Sequence, residues 1–156
     1  MTKIPCNLPW IEFLRSHFNP SNPWLNYGHE RNLQASLNYQ NGYKMKRIQW
    51  LGTSLNAVRE FPDEARAMVG TELRQIQNGL MPSDFKPMTT VGAGVFEIRV
   101  RAGNQYRVIY VAKFSEAVYV LHAFVKKTPK TAATDLELAQ SRYAALLNTR
   151  KANKPS

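Results

Sequence analysis

An α+β fold is predicted by three features of the chain. Two helical patterns fill residues 54–79, three β-patterned runs lie between Phe96 and Lys130, and a last amphipathic stretch follows Thr134. The order is strand, helix, helix, three-stranded antiparallel meander, C-terminal helix, which predicts helices packed on one side of a mainly antiparallel sheet.

Each element has its own local reason. Arg47-Ile48-Gln49-Trp50-Leu51 alternates weakly and halts at Gly52, a short first strand. Ser54 is placed to cap a brief helix over Leu55–Phe61, with Leu55, Val58 and Phe61 on one face. Pro62-Asp63-Glu64 starts a longer helix, since proline suits the first turn and acids favour the positive end of the helix dipole. Ala65, Met68, Val69, Leu73 and Ile76 keep the helical spacing up to Gly79, the predicted stop. Prolines and glycines make residues 81–94 a loop. FEIRVRA, QYRVIYVAKF and AVYVLHAFVKK follow as strands, the first two joined through Gly103, where a positive φ is cheap. Thr134 or Asp135 caps the last helix, whose stripe is Leu136, Ala139, Tyr143, Leu146 and Leu147.

Three segments are expected. Residues 45–150 form the main domain and 151–156 a frayed tail. Residues 1–44, with Asn-Pro turn signals, repeated Asn and Tyr and no sustained period past Phe18, form an appendage; Trp10, Phe13, Leu14 and Phe18 suggest one short docked helix. Met45 opens MKRIQWLG, which reads as a natural start, so translation is expected to begin there. An intact mass beginning at Met1 in the natively expressed protein would contradict this.

Composition narrows the function classes. Apolar residues make up 44% of the chain, as in a globular domain that buries a core. Lys and Arg number 21 against 11 acids, for a net charge of +10, which favours a polyanionic partner. One cysteine, Cys6, excludes an internal disulfide and a cysteine-rich zinc site. No stretch reaches the roughly 20 apolar residues of a membrane span, and the broken N-terminal pattern is not a signal peptide, so a cytoplasmic protein is expected. Val91-Gly92-Ala93-Gly94 lacks the lysine of a phosphate loop, and His17, His29 and His122 are too dispersed for a metal motif. Neither a metal nor another cofactor is expected.

The meander carries Arg99, Arg101, Arg107, Lys113, His122, Lys126, Lys127 and Lys130 against Glu97 and Glu116. Alternation puts Phe96, Ile98 and Val100 on one face of the first run and Glu97, Arg99 and Arg101 on the other. In the second run Arg107 shares a face with Ile109 and Val111, opposite Tyr106, Val108 and Tyr110; a strand buried on both faces belongs in the middle of the sheet. In the third, Val118, Val120, His122, Phe124 and Lys126 alternate with Tyr119, Leu121, Ala123 and Val125. Taken singly, these residues read as a solvated sheet face, a core histidine, packing tyrosines and a solubilising strand end. Taken together they suit cleavage of RNA without a metal. Glu97 or His122 would take the 2′-hydroxyl proton, while Arg99, Arg107 and Lys126 hold the phosphorane charge. Arg107 would clamp phosphate through its planar fork, Tyr106 or Tyr110 would stack on a base, and Arg101, Lys127 and Lys130 would follow the RNA backbone.

These residues also carry a resemblance. IQWLGTSLNAVREFPDEARAMVGTELRQIQNGLMPSDFKPM, then GVFEIRV, YRVIYVA and HAFVKKTPKT followed by DLELA, resemble the phage-derived HigB-type toxins of the RelE/ParE superfamily over about two-thirds of the chain. The resemblance implies a RelE-like fold and a toxin of a type II toxin-antitoxin system. It would be an mRNA interferase that cuts mRNA in the ribosomal A site and is neutralised by a helix-turn-helix antitoxin. It assigns basic site residues to the strand Glu97–Arg101, to Arg107 and to Lys126 or Lys127; the tyrosine or histidine that some relatives keep near the C-terminus has no counterpart here after Lys130, where Tyr143 reads as helix packing, and residues 1–44 have no place in the resemblance. The rival within the superfamily is a ParE-like gyrase inhibitor that catalyses nothing; a degenerate phage protein that only binds a partner is a third reading.

Overall fold

In the computed structural model, Gly42 and residues 44–153 are described. The appendage, Cys6 and the short helix expected around Trp10–Phe18 lie outside them. The described residues hold β1 (Arg47–Trp50), α1 (Ser54–Arg59), α2 (Asp63–Gln77), β2 (Phe85–Pro87), β3 (Val95–Ala102), β4 (Asn104–Val111), β5 (Ala117–Val125) and α3 (Ala133–Ala152). The strands form one mixed sheet in the order β1-β5-β4-β3-β2. β1 runs parallel to β5 and every other pairing is antiparallel. The predicted α+β class and element order hold, and the doubly buried β4 is the central strand. Gly103 turns the β3–β4 hairpin at φ 71°, and Gly79 ends the α2 segment at φ 79°.

The helices do not share one side of the sheet. Val58, Phe61, Ala65, Val69, Leu73 and Ile76 from α1, α2 and their junction meet Ile98, Val100, Tyr106, Val108, Tyr110, Val118 and Val120 on one face. Ala139, Tyr143 and Leu146 of α3 meet Val95, Ile109, Val111 and Leu121 on the other. The stripe on α3 is the predicted one, but the sheet is apolar on both faces over β4 and β5, so it needs cover on both. Met68 is 40% exposed and drops out of the α2 stripe.

Two local differences matter for the site. The loop expected over 81–94 contains β2, three residues paired with β3; Pro87 is tolerated because β2 is an edge. In β5 the register shifts: Ile109 pairs with His122 but Tyr110 pairs with Val120, leaving Leu121 as an extra residue. Simple alternation therefore fails along β5. Val118, Val120 and Ala123 belong to the α1/α2 core, while Leu121 belongs to the α3 core.

Capping also differs. Ser54 is buried and donates its hydroxyl to Val120 O at 3.1 Å, tying α1 to β5, and Thr53 takes the N-cap position. Pro62 is the N-cap of α2, and Ala132 is the N-cap of α3, which freed Asp135 for another contact described below. α3 continues through Ala152, so the first two residues of the expected tail are helical.

Candidate active site

A cleft of about 440 Å³ opens on the α3 side of the sheet. Glu97 and Arg99 of β3 line its floor; one wall is Lys86 to Thr90, and the other is Lys126, Pro129, Lys130, Thr131 and Leu136. Glu97 is only 2% exposed, because Phe96 and Ile98 on either side of it are drawn to the opposite core and the pleat turns its carboxylate toward Arg107.

That carboxylate joins the two arginines. Arg99 and Arg107 are direct cross-strand partners, a juxtaposition of like charges that would be unfavourable alone. Glu97 Oε1 lies between them, 3.3 Å from Arg99 Nε and 3.4 Å from Arg107 Nε. Arg99 Nε donates a hydrogen bond there, whereas Arg107 Nε faces the oxygen without hydrogen-bond geometry. Arg99 also sits 3.9 Å from Asp84. Arg107 is buried, donating from Nη1 to Tyr106 O at 2.9 Å and from Nη2 to Gln105 Oε1 at 2.7 Å. Burial lowers its pKa from the ordinary arginine value, opposed by Glu97 and reinforced by Arg99.

The remaining predicted residues divide into two groups. Lys126 and Lys130 line the cleft and make no ion pair within the described residues. His122 stands on the same face, because it pairs with Ile109, but its Nε2 is 2.8 Å from Asp135 Oδ1 and its ring stacks on Phe124. Its Nδ1 is buried and has no hydrogen-bond partner among the described residues. His122 thus ties β5 to the first turn of α3 and does not line the cleft. Arg101 and Lys127 are exposed but stand apart from it. Tyr110 is on the opposite face, buried beside Phe96 in the α1/α2 core, and Tyr106 is there too against Phe61. Neither ring is presented to a ligand in the cleft. Burial, helped by Glu72, raises the Tyr110 phenol well above its ordinary pKa.

Sequence reasoning missed Lys86, which lay in an assumed loop. The alternation Phe85-Lys86-Pro87 was the available signal, too short to register as a strand.

A larger groove, about 990 Å³, follows the C-terminal half of α3, but both of its arginines are already engaged. Arg142 donates to Leu121 O and Thr53 Oγ1, and Arg150 pairs with Glu116 while covering the Phe114 ring. The smaller cleft gathers three lysines that make no ion pair among the described residues, against Lys151 alone in the larger groove, so it is the better anion site.

No group of three or more His, Cys, Asp or Glu residues among those described is arranged to hold a metal ion. No described helix is long and apolar enough to cross a membrane. Comparison with protein families matches residues 56–144 to the family described as Phage derived protein Gp49-like (DUF891). The chain belongs to this Gp49-like family. The match runs from α1 into α3, so β2, β3, β4 and β5 and both walls of the cleft belong to the Gp49-like region. Among curated proteins nothing matches the chain.

Proposed function

We propose that this Gp49-like chain is the toxin of a type II toxin-antitoxin pair, of the HigB type, and that it cleaves mRNA at the cleft floored by Glu97 and Arg99. The observation that carries the reading is the pairing of one buried carboxylate with an excess of cations at a single opening. Glu97 is held by Arg99 and Arg107, and Lys86, Lys126 and Lys130 stand around it and make no ion pair among the described residues. Such a surface attracts a phosphodiester and supplies a base beside it.

In this reading Glu97 accepts the proton of a ribose 2′-hydroxyl. The 2′-oxygen attacks the adjacent phosphorus, the bond to the 5′-oxygen breaks, and the products are a 2′,3′-cyclic phosphate and a 5′-hydroxyl end. Arg99 and the cleft lysines stabilise the extra negative charge of the phosphorane, and one of their protons or a water proton meets the leaving oxygen. His122 is a weaker candidate for base, since Asp135 occupies its Nε2. The partners are the translating ribosome with its mRNA and a cognate helix-turn-helix antitoxin.

Primer extension on mRNA after induction, with and without translation, tests the reading. Codon-phased cuts that need translation support it. Intact mRNA with DNA-damage signalling would overturn it in favour of a gyrase inhibitor. Arg107→Ala is expected to abolish growth inhibition and leave antitoxin binding intact; a fully toxic Arg107→Ala chain would remove this residue from the site.

A further inference from the structure

Arg107 was the natural phosphate clamp on sequence grounds, but its surroundings assign it a different task. Its guanidinium is buried, and each nitrogen faces a protein oxygen: Tyr106 O, Gln105 Oε1 and Glu97 Oε1. It is absent from the lining of the cleft. To grip a phosphate it would have to give up these contacts and rise past Glu97.

Lys86 is placed the opposite way. In the β2–β3 ladder it is the direct partner of Glu97. Directly opposite residues project to the same face with their Cβ atoms about 5 Å apart. Lys86 is exposed, lines the cleft and makes no ion pair within the described residues. Arg99, the neighbour on the same floor, is also partly exposed.

We propose that Lys86 on the edge strand, together with Arg99, contacts the RNA phosphate, and that Arg107 is a positioning residue that acts through Glu97. The inference rests on the RNA-cleavage reading of the cleft. It separates two functions that the sequence had merged: one cation set binds, and a buried cation beneath it orients the base.

The test is a pair of measurements on the full chain. Affinity is read by anisotropy with a single-stranded RNA oligonucleotide made uncleavable by 2′-deoxy substitution, over a series of salt concentrations. The rate is read in single turnover on ribosomes programmed with a defined mRNA, at saturating toxin. Lys86→Ala should weaken binding by about tenfold and flatten the slope of log affinity against log salt by about 0.7, the share of one phosphate contact on a single strand. Its rate at saturation should fall by no more than about tenfold, the share a phosphate contact adds in the transition state, well short of the loss at Arg107. Arg107→Ala should keep affinity and salt slope while the saturated rate falls by about a hundredfold or more, the scale of a misdirected general base. Arg107→Gln, which keeps a donor in the Tyr106 carbonyl's reach, is to be measured alongside and should show the same split if Arg107→Ala loses its folded circular dichroism spectrum. The division of roles is overturned if the folded Arg107 variant loses affinity and salt slope as a phosphate contact would, or if Lys86→Ala binds like wild type. A wild-type chain that neither binds nor cuts RNA overturns the cleavage reading itself, and this proposal with it.

Discussion

At the scale of single residues, Glu97 determines whether the strand face is tolerable at all. Two guanidiniums one cross-strand step apart need an intervening negative charge, and Arg107 is too buried for water to supply the screening. Glu97→Ala should therefore destabilise the fold by about 3 kcal/mol, the usual scale for removing one partner of a buried pair. A urea-unfolding midpoint unchanged from wild type would show that the arginines are accommodated without it. Tyr110 makes a prediction in pH. Its folded pKa lies above the unfolded value near 10, so the folded state keeps a proton that the unfolded state gives up. Its contribution is whole below about pH 10 and is lost as pH rises above that, at about 1.4 kcal/mol per pH unit. Tyr110→Phe should make the alkaline fall in stability shallower, as read from melting temperatures between pH 9 and pH 11; identical falls would exclude this residue as their source.

At the scale of elements, α3 is fastened by polar contacts as well as by its apolar stripe. Asp135 meets His122, Gln140 donates to Thr90 O, Arg142 to Leu121 O, and Tyr143 to Ala93 O at 2.8 Å. Lys113 closes the last of these by donating to both the Tyr143 hydroxyl and Ala93 O. Gly92 makes the arrangement possible, because a Cβ there would overlap the Tyr143 ring. Gly92→Ala should cost about 1–3 kcal/mol through forced displacement of that ring. Chemical denaturation checks it, and a loss below about 0.5 kcal/mol would mean the ring has room to move. The sequence made the helix stripes and the β3–β4 faces legible because each keeps a strict period. It could not reveal the shift at Leu121, since a bulge leaves no mark in an alternating run whose residues are apolar on both sides. It also hid Lys86, whose place depends on pairing with Glu97, eleven residues further along the chain. Of the candidate site, Glu97, Arg99, Lys126 and Lys130 line one cleft, Lys126 only because the shift in β5 moves it off the face of Val118 and Val120, while Arg107 lies buried outside that lining and His122 and Tyr110 stand apart. The partner of His122, Asp135, is in the sequence one of two candidate caps, and nothing local distinguishes a capping aspartate from one that reaches across to a strand.

At the scale of the whole molecule, the charge of +10 has a focus, since the cleft collects Arg99 and three lysines, and the lysines make no ion pair among the described residues. If Lys86, Arg99, Lys126 and Lys130 each neutralise one phosphate, log affinity for single-stranded RNA should fall against log salt with a slope of about −3. Titrations over a range of potassium chloride concentrations check this, and a slope near zero would mean the charge is not spent on phosphates. The two-sided sheet matters here as well. α1 and α2 cover one face of β3 and β4, which leaves the other face free to carry charge at the cleft while α3 covers the part nearer β5.

The place of β5 between β1 and β4 also sets an order of events during synthesis. β1 is made first, yet its partners in the sheet are residues 117–120. The wall formed by Lys126 to Thr131 comes later still, and the helix that backs it comes last. Long-range pairing of this kind delays closure of the sheet until its final strand is available. A chain still being made therefore has the acid and the arginines of β3 and β4 but only one side of the cleft. On the proposed reading, in which the chain cuts messages under translation, that delay would spare the ribosome making it until the chain is nearly complete.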